Sequence, residues 1–215
     1  MALKKWTDQE IIIDLLTKIA NKTYQVNEPI SIFNLIDTYQ LSEVQAKFFL
    51  NKIADSFLLK ITKNGDYLVR QLTIAEIEDI FLIRASIVDM KYTRLIKALT
   101  SKNKKEYYEI LAEVQSWDPN NLYQIIEIET KMFYFLNRVV PCDLINNIFG
   151  EEALLSLFLR IYSLINIPDQ PHKIKNFYLK IANYLINNKI KNLHHFIYEA
   201  LKNDQDTFIR VYLNN

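Results

Sequence analysis

The chain has 215 residues, half of them hydrophobic, with 26 Lys and Arg against 25 Asp and Glu and a formal net charge of +1. That length allows one large domain or two small ones, and the balanced charge means that any nucleic-acid contact must come from a local patch. Two glycines, Gly65 and Gly150, exclude phosphate-cradling glycine loops, while one cysteine, Cys142, excludes an internal disulfide or Cys-cluster zinc site and reads as a small core residue.

So little Gly and Pro predicts a mainly helical chain. No run of eighteen apolar residues and no signal-peptide pattern occur, which predicts a soluble cytoplasmic protein with no membrane partner. In chain order, Thr7 and Glu10 form a capping-box start, and Ile11, Leu15 and Ile19, with Ile12 and Leu16, mark an amphipathic helix to about Asn21. Ser31 caps a short helix carrying Ile32, Leu35 and Ile36, and Tyr39-Gln40 makes a turn. Ser42 and Gln45 open a third helix whose buried face is Ala46, Leu50 and Ile53, with Phe49 and Phe57 beside them. Strand-like runs at Leu58–Ile61 and Tyr67–Val69 flank Asn64-Gly65, a strong hairpin signal. Helix, helix, turn, helix, hairpin is the order of a winged helix-turn-helix.

From Thr73 the pattern turns wholly helical. A long helix runs to about Leu99, Thr100 to Lys105 reads as a lysine-rich turn, and Tyr107, Ile110, Leu111 and Val114 mark the next helix. Asp118 and Pro119 suit the cap and first position of another, running to about Arg138. A short helix over Leu144–Phe149 is followed by a Gly150 cap and a helix from Glu151 to about Asn166. Two more cover roughly Lys173 to Asn187 and Lys189 to Lys202. The fold class is therefore mainly α: an N-terminal winged helix-turn-helix over 1–71 and an all-α antiparallel bundle over 72–215.

The segments ISIFNLID (30–37) and 41–71 resemble the DNA-binding half of GntR-family bacterial repressors, and YLVRQLTIAEIEDIFLIR (67–84) resembles the wing-to-effector junction of the family's FadR/FCD subgroup. The resemblance implies a homodimeric transcriptional regulator that holds a double-stranded DNA operator and senses a small-molecule effector in its helical domain. It places Ser42, Gln45 and Lys47 in the major groove and Lys63, Asn64 and Gly65 on the wing. The chain departs from the family at three positions. Glu43 stands where an Arg commonly follows the recognition-helix Ser, Lys47 replaces a second Arg, and Phe33 replaces one in the preceding helix. From Leu41 to Arg70 there are five Lys and Arg and three Asp and Glu, a net of +2.

In the subgroup's effector domain one Asp and three His bind a metal. Glu129 falls at the Asp position, Phe133 at the first His, and the later His positions fall near Tyr178 and Ala200. His172, His194 and His195 do not match. The resemblance therefore implies no metal or other cofactor and an apolar, aromatic pocket like that of the acyl-CoA-responsive members. Its candidate residues are Arg84, Glu129, Phe133 and Tyr178, and its ligand a carboxylate or acyl-CoA-like metabolite. Arg84, on the apolar stripe of its helix, is either an anchor for an acidic effector or one half of an ion pair with Glu127 or Glu129. Lys173 to Lys202 holds six lysines and one acid, Glu199, either a solvated face or a phosphate-receiving one. No Ser-His-Asp, Cys-His or paired-carboxylate arrangement stands out, so no enzyme is expected. The alternative to a regulator is a degenerate relative serving as a protein-interaction or ligand-binding module.

Overall fold

The structure, a computed structural model, describes residues 5–141 and 152–214. Cys142, the helix expected over Leu144–Phe149 and the Gly150 cap lie outside those residues. The described chain is mainly α, with one two-stranded antiparallel sheet. It forms two compact units: residues 5–73 together with 152–166, and residues 74–141 together with 167–214.

In the first unit, α1 (Asp8–Ala20) starts at the expected capping box, in which Thr7 and Glu10 satisfy each other's backbone N–H groups. Helix α2 (Ile32–Tyr39) is capped by Ser31 and ends at Gln40 in the left-handed region, φ 57°. Ser42 and Gln45 close a second capping box at the head of α3 (Glu43–Asp55). Gln40 to Ser42 is thus the turn of the helix-turn-helix. Ala46, Phe49, Leu50 and Ile53 bury one face of α3. Phe49, Leu50 and Ile53 each contribute about 1.5–3 kcal/mol when fully removed from water.

Phe57 departs from the expected buried face: it is 61% exposed. Helix α3 ends at Asp55 with Ser56 as its C-cap, and Phe57 takes φ 63°. The Phe57 N–H donates to Ala54 O at 2.9 Å and the Leu58 N–H to Ile53 O at 3.3 Å, the two bonds of a Schellman cap. The left-handed residue swings its side chain off the helix face, and Leu58 enters the core instead.

Strands β1 (Leu59–Ile61) and β2 (Tyr67–Val69) pair in the register Leu59 with Val69 and Ile61 with Tyr67. The tip is a three-residue loop. Gly65 N–H donates to Thr62 O at 3.0 Å and Thr62 N–H to Asp66 O at 2.9 Å, with Gly65 at φ 86°. The hairpin signalled by Asn64-Gly65 is present, but Asn64 is not left-handed: the tip is a turn over Lys63-Asn64 with glycine in the following left-handed position. Residues 26–30 lie along β2, where Asn27 N–H donates to Val69 O at 2.9 Å and Ile30 N–H to Tyr67 O at 2.8 Å.

A third departure concerns Glu152–Asn166, helix α7, expected with the C-terminal bundle. It packs on α1 and belongs to the first unit. Asn166 Nδ2 donates to Ala20 O at 3.1 Å, closing the end of α1. The signal is on α1 itself. Ile13 and Ala20 are buried although they lie about 200° and 180° round the helix from Ile11, so α1 has a second apolar side.

The second unit contains α4 (Ile74–Ala98), α5 (Ser101–Ser116), α6 (Leu122–Val139), α8 (Gln170–Ile186) and α9 (Ile190–Asn214). Helices α4 and α9 lie along each other; α5 packs on α6 and α8, α4 on α6, and α8 on α9. Four boundaries differ from the expected ones. Thr100 is the N-cap of α5, accepting from Asn103 N–H, so most of the lysine-rich turn is helix. Helix α6 starts at Leu122 behind the Asn121 cap, while Asp118 caps a local turn by accepting from Asn120 N–H at 2.9 Å. Helix α8 starts at Gln170, with Pro171 in its first turn. Helix α9 continues twelve residues past Lys202, because Phe208, fully buried, extends its apolar stripe.

Candidate nucleic-acid interface and effector site

The wing and α3 present the first candidate surface. Glu43, Val44, Gln45, Lys47, Phe48, Asn51 and Lys52 are all exposed along α3, and Lys63, Asn64 and Gly65 are exposed at the wing tip. The sequence therefore placed every candidate DNA-binding residue on the surface, but several are engaged. Ser42 Oγ accepts from Gln45 N–H at 3.3 Å and donates to Gln45 Oε1 at 3.0 Å, so both side chains serve the cap. Lys47 Nζ sits 2.6 Å from the Glu43 carboxylate, one turn earlier. A hydrogen bond from Lys47, then its charge, holds the Glu43 carboxyl below the usual carboxylate range; the same contact raises Lys47. The wing is braced to α3 by Tyr67, whose hydroxyl donates to Asn51 Oδ1 at 2.6 Å. Arg70, at the wing's foot, donates to Phe57 O at 3.1 Å.

A polar clamp holds α2 to α1. Tyr39 donates to Asp14 Oδ2 at 2.5 Å and accepts from Lys18 Nζ at 3.0 Å, while Lys18 also pairs with Asp14 at 2.8 Å. Trp6 meets the Tyr39 ring edge-on at 5.1 Å. This clamp fixes the helix that precedes the turn, and through it the angle at which α3 is presented.

The helical unit holds the second candidate site. Of the four effector candidates, two come together: Tyr178 on α8 donates to Glu129 Oε1 on α6 at 2.8 Å. Around them lie two phenols that were not among the effector candidates, Tyr92 on α4 and Tyr107 on α5, both almost completely buried. Tyr107 stacks on Phe135 at 5.7 Å. The Tyr92 and Tyr107 hydroxyls find no hydrogen-bond partner among the described residues. Burial raises Tyr92 well above the usual tyrosine pKa, with further contributions from Tyr178, Tyr107 and Glu129; burial likewise raises Tyr107. Helical spacing alone flags these tyrosines as core, because burial and hydroxyl satisfaction are set by three other helices.

The other two candidates are elsewhere. Phe133 is 47% exposed, with Lys91 Nζ 5.3 Å from its ring centre; Lys91 itself is buried and donates to Asn137 Oδ1. Arg84 is half-buried on α4 and engaged. Glu127, one of its two anticipated partners, pairs with Lys131 at 3.2 Å. Among the described residues no three His, Cys, Asp or Glu side chains are grouped as a metal would need.

A third cluster was missed in the sequence. His194 on α9 lies with Nδ1 2.5 Å from Asp89 Oδ1 and Nε2 3.5 Å from Thr93 Oγ1, both on α4. A carboxylate can only accept, so Nδ1 carries the proton and Nε2 faces the hydroxyl. The long second contact makes this a tie between α4 and α9 rather than an activated hydroxyl. Asp89 and Thr93, at i, i+4 on one face of α4, were the available signal.

A capped helix behind a tight turn and a two-stranded wing define a winged-helix fold, and the chain adds to it a helical unit. No protein-family model matches the chain, and no curated protein sequence matches it. Solved structures do. E. coli McbR/YncC aligns over 95% of this chain and 97% of its own, with a TM-score of 0.70 at 15% identity. Lar, described as controlling expression of the Listeria monocytogenes agr system, aligns over 98% and 100% with a TM-score of 0.54 at 13% identity. A GntR-family transcriptional regulator from Pseudomonas syringae pv. tomato aligns over 96% and 87%, with a TM-score of 0.52 at 11% identity. The chain has the fold of GntR-family transcriptional regulators. No helix among the described residues is long and apolar enough to cross a membrane.

Proposed function

We propose that the chain is a cytoplasmic DNA-binding transcriptional regulator of the GntR type, belonging to the FadR/FCD subgroup and acting as a homodimer rather than as an enzyme. The observation that carries this reading is the whole-length correspondence of fold, joined to an exposed, doubly capped α3 and a braced wing. Ser42, Gln45 and Lys47 on α3 and Lys63, Asn64 and Gly65 on the wing contact operator DNA. The lysines position the duplex through its phosphates. Lys47 exchanges Glu43 for phosphate on binding.

The helical unit takes a small-molecule effector, a carboxylate or acyl-CoA-like metabolite, without a resident metal or other cofactor. The Glu129–Tyr178 pair and the buried Tyr92 and Tyr107 support an interior that is aromatic yet supplied with hydrogen-bonding groups. Arg84 anchors the effector's acidic group, and Phe133 contributes its ring from the rim. Effector binding shifts the population between two dimer arrangements and so the spacing of the recognition helices. Native mass spectrometry of the protein as purified tests this: a co-purified organic ligand is expected, and a stoichiometric transition metal contradicts the metal-free reading.

A second reading, a winged helix used for protein contact, draws on the Glu43–Lys47 pair and on exposed Phe33 and Val44. It predicts no shift of any genomic fragment at low salt.

A further inference from the structure

Val44 and Phe48 stand one turn apart on α3, and so on one face, 79% and 48% exposed. The core takes neither, being filled from the other side by Ala46, Phe49, Leu50 and Ile53. Phe48 is held in place: its ring meets Phe49 edge-on at 5.6 Å, and Lys52 Nζ stands 4.5 Å from its centre. Lys47, paired with Glu43, is the next residue along, and Lys63 is exposed on the wing. The face is therefore a small apolar floor bordered by Lys52 and by the Lys47–Glu43 pair.

The major groove of DNA carries the complementary pattern. Its walls are phosphates, and the one apolar group on its floor is the C5 methyl of thymine. We propose that Val44 and Phe48 read thymine methyl groups, which makes them the specificity-determining residues of α3. The inference rests on the DNA-binding reading above. Lysine is a point charge that positions the backbone and lacks the forked geometry that recognises guanine. Ser42 Oγ and Gln45 Oε1 are committed to the helix cap. The Gln45 amide can still donate to a base edge but not accept from one, and discrimination of thymine falls to the apolar pair. An apolar floor beside Lys52 and Lys47, the latter free to exchange Glu43 for phosphate, fits a polyanion bearing methyl groups better than an apolar protein face.

The test uses the full chain and a duplex that it enriches from a randomised pool. That duplex is made again with deoxyuridine in place of thymidine, which removes the methyl groups and keeps the base pairs. The expected result is weaker binding of the deoxyuridine duplex, by about fourfold for each methyl contacted. V44A and F48A should bind the thymidine duplex more weakly and lose most of the difference between the two. Circular dichroism checks the fold, and V44A, at a nearly fully exposed position, keeps the test valid if F48A misfolds. Equal affinity of the unaltered protein for both duplexes overturns the inference, as does V44A retaining the full ratio. If equal affinity is joined by a changed sedimentation mass in F48A, the face is a contact between protein chains. Failure to enrich any duplex defeats the DNA-binding reading, and the inference with it.

Discussion

Lys47 and Glu43 face each other across the first turn of α3, 2.6 Å apart, on the surface that would meet DNA. The cation best placed for phosphate is thus already paired, and its partner would repel the same phosphate. E43Q should tighten binding to an enriched duplex by about fivefold, the ~1 kcal/mol scale of one charge contact in water. K47A should weaken it and flatten its salt dependence. Fluorescence anisotropy over a salt series measures both. Unchanged affinity in E43Q would mean that α3 does not approach a phosphate at this point.

The pair is exposed to solvent, so it adds little to stability. Its sign is still defined. Glu43 is depressed in the folded chain, so its contribution is present above the ordinary carboxylate pKa and fades as pH falls below it.

Tyr92 and Tyr107 act at the other end of the scale. Both are raised in the folded chain, so the unfolded chain loses their protons first as pH rises. Their contribution is complete below the ordinary tyrosine pKa of about 10 and is lost above it. The urea midpoint should hold steady to about pH 9 and fall steeply beyond pH 10, less steeply in Y92F. Y92F should also be neutral or up to about 1 kcal/mol more stable at pH 7, because it removes a buried hydroxyl that finds no partner among the described residues. A loss of 2 kcal/mol or so in Y92F would place a bound water or ligand on that hydroxyl.

The Tyr178–Glu129 bond, 2.8 Å between a phenol and a carboxylate, joins α8 to α6. Y178F should cost about 1.5–3 kcal/mol, the scale of a hydrogen bond to a charged group. Denaturant unfolding reads it directly. A cost under 0.5 kcal/mol or so would show that solvent or a neighbour satisfies Glu129 equally well.

Two left-handed residues give opposite expectations for glycine. Gly65 has φ 86° with open space where a Cβ would stand, so G65A should cost about 1–2 kcal/mol from backbone strain alone. Phe57 occupies the same region at φ 63°, with its ring in solvent, so F57G should stabilise by about 1 kcal/mol. Thermal midpoints of the two variants should move in opposite directions.

What the sequence made legible was local. The capping boxes at Thr7–Glu10 and Ser42–Gln45, the Ser31 cap and the hairpin each depend on residues a few positions apart, and each is present in the structure. Phe57 was misplaced because the helical count was carried one step past a cap whose left-handed residue is aromatic rather than glycine. Helix α7 was assigned to the wrong unit because its partnership with α1 spans more than 130 residues of chain (Asn166 to Ala20 being 146). Periodicity reports that a face is apolar, not what covers it. The same limit applies to the sites. Lys47 was visible as a cation, but its neutralisation by Glu43 is a matter of rotamers. Tyr107 read only as a marker of its helix and Tyr92 drew no notice, because what buries their hydroxyls lies on other helices.

Contact of α3 and the wing with DNA is tested most directly by a salt titration of binding. With a duplex enriched by the protein, the logarithm of affinity should fall linearly with the logarithm of salt concentration, by about 0.9 per phosphate contact. Removing Lys47, Lys52 or Lys63 should each lower that slope by about one contact. No binding at low salt, or a slope unmoved by all three substitutions, would contradict it.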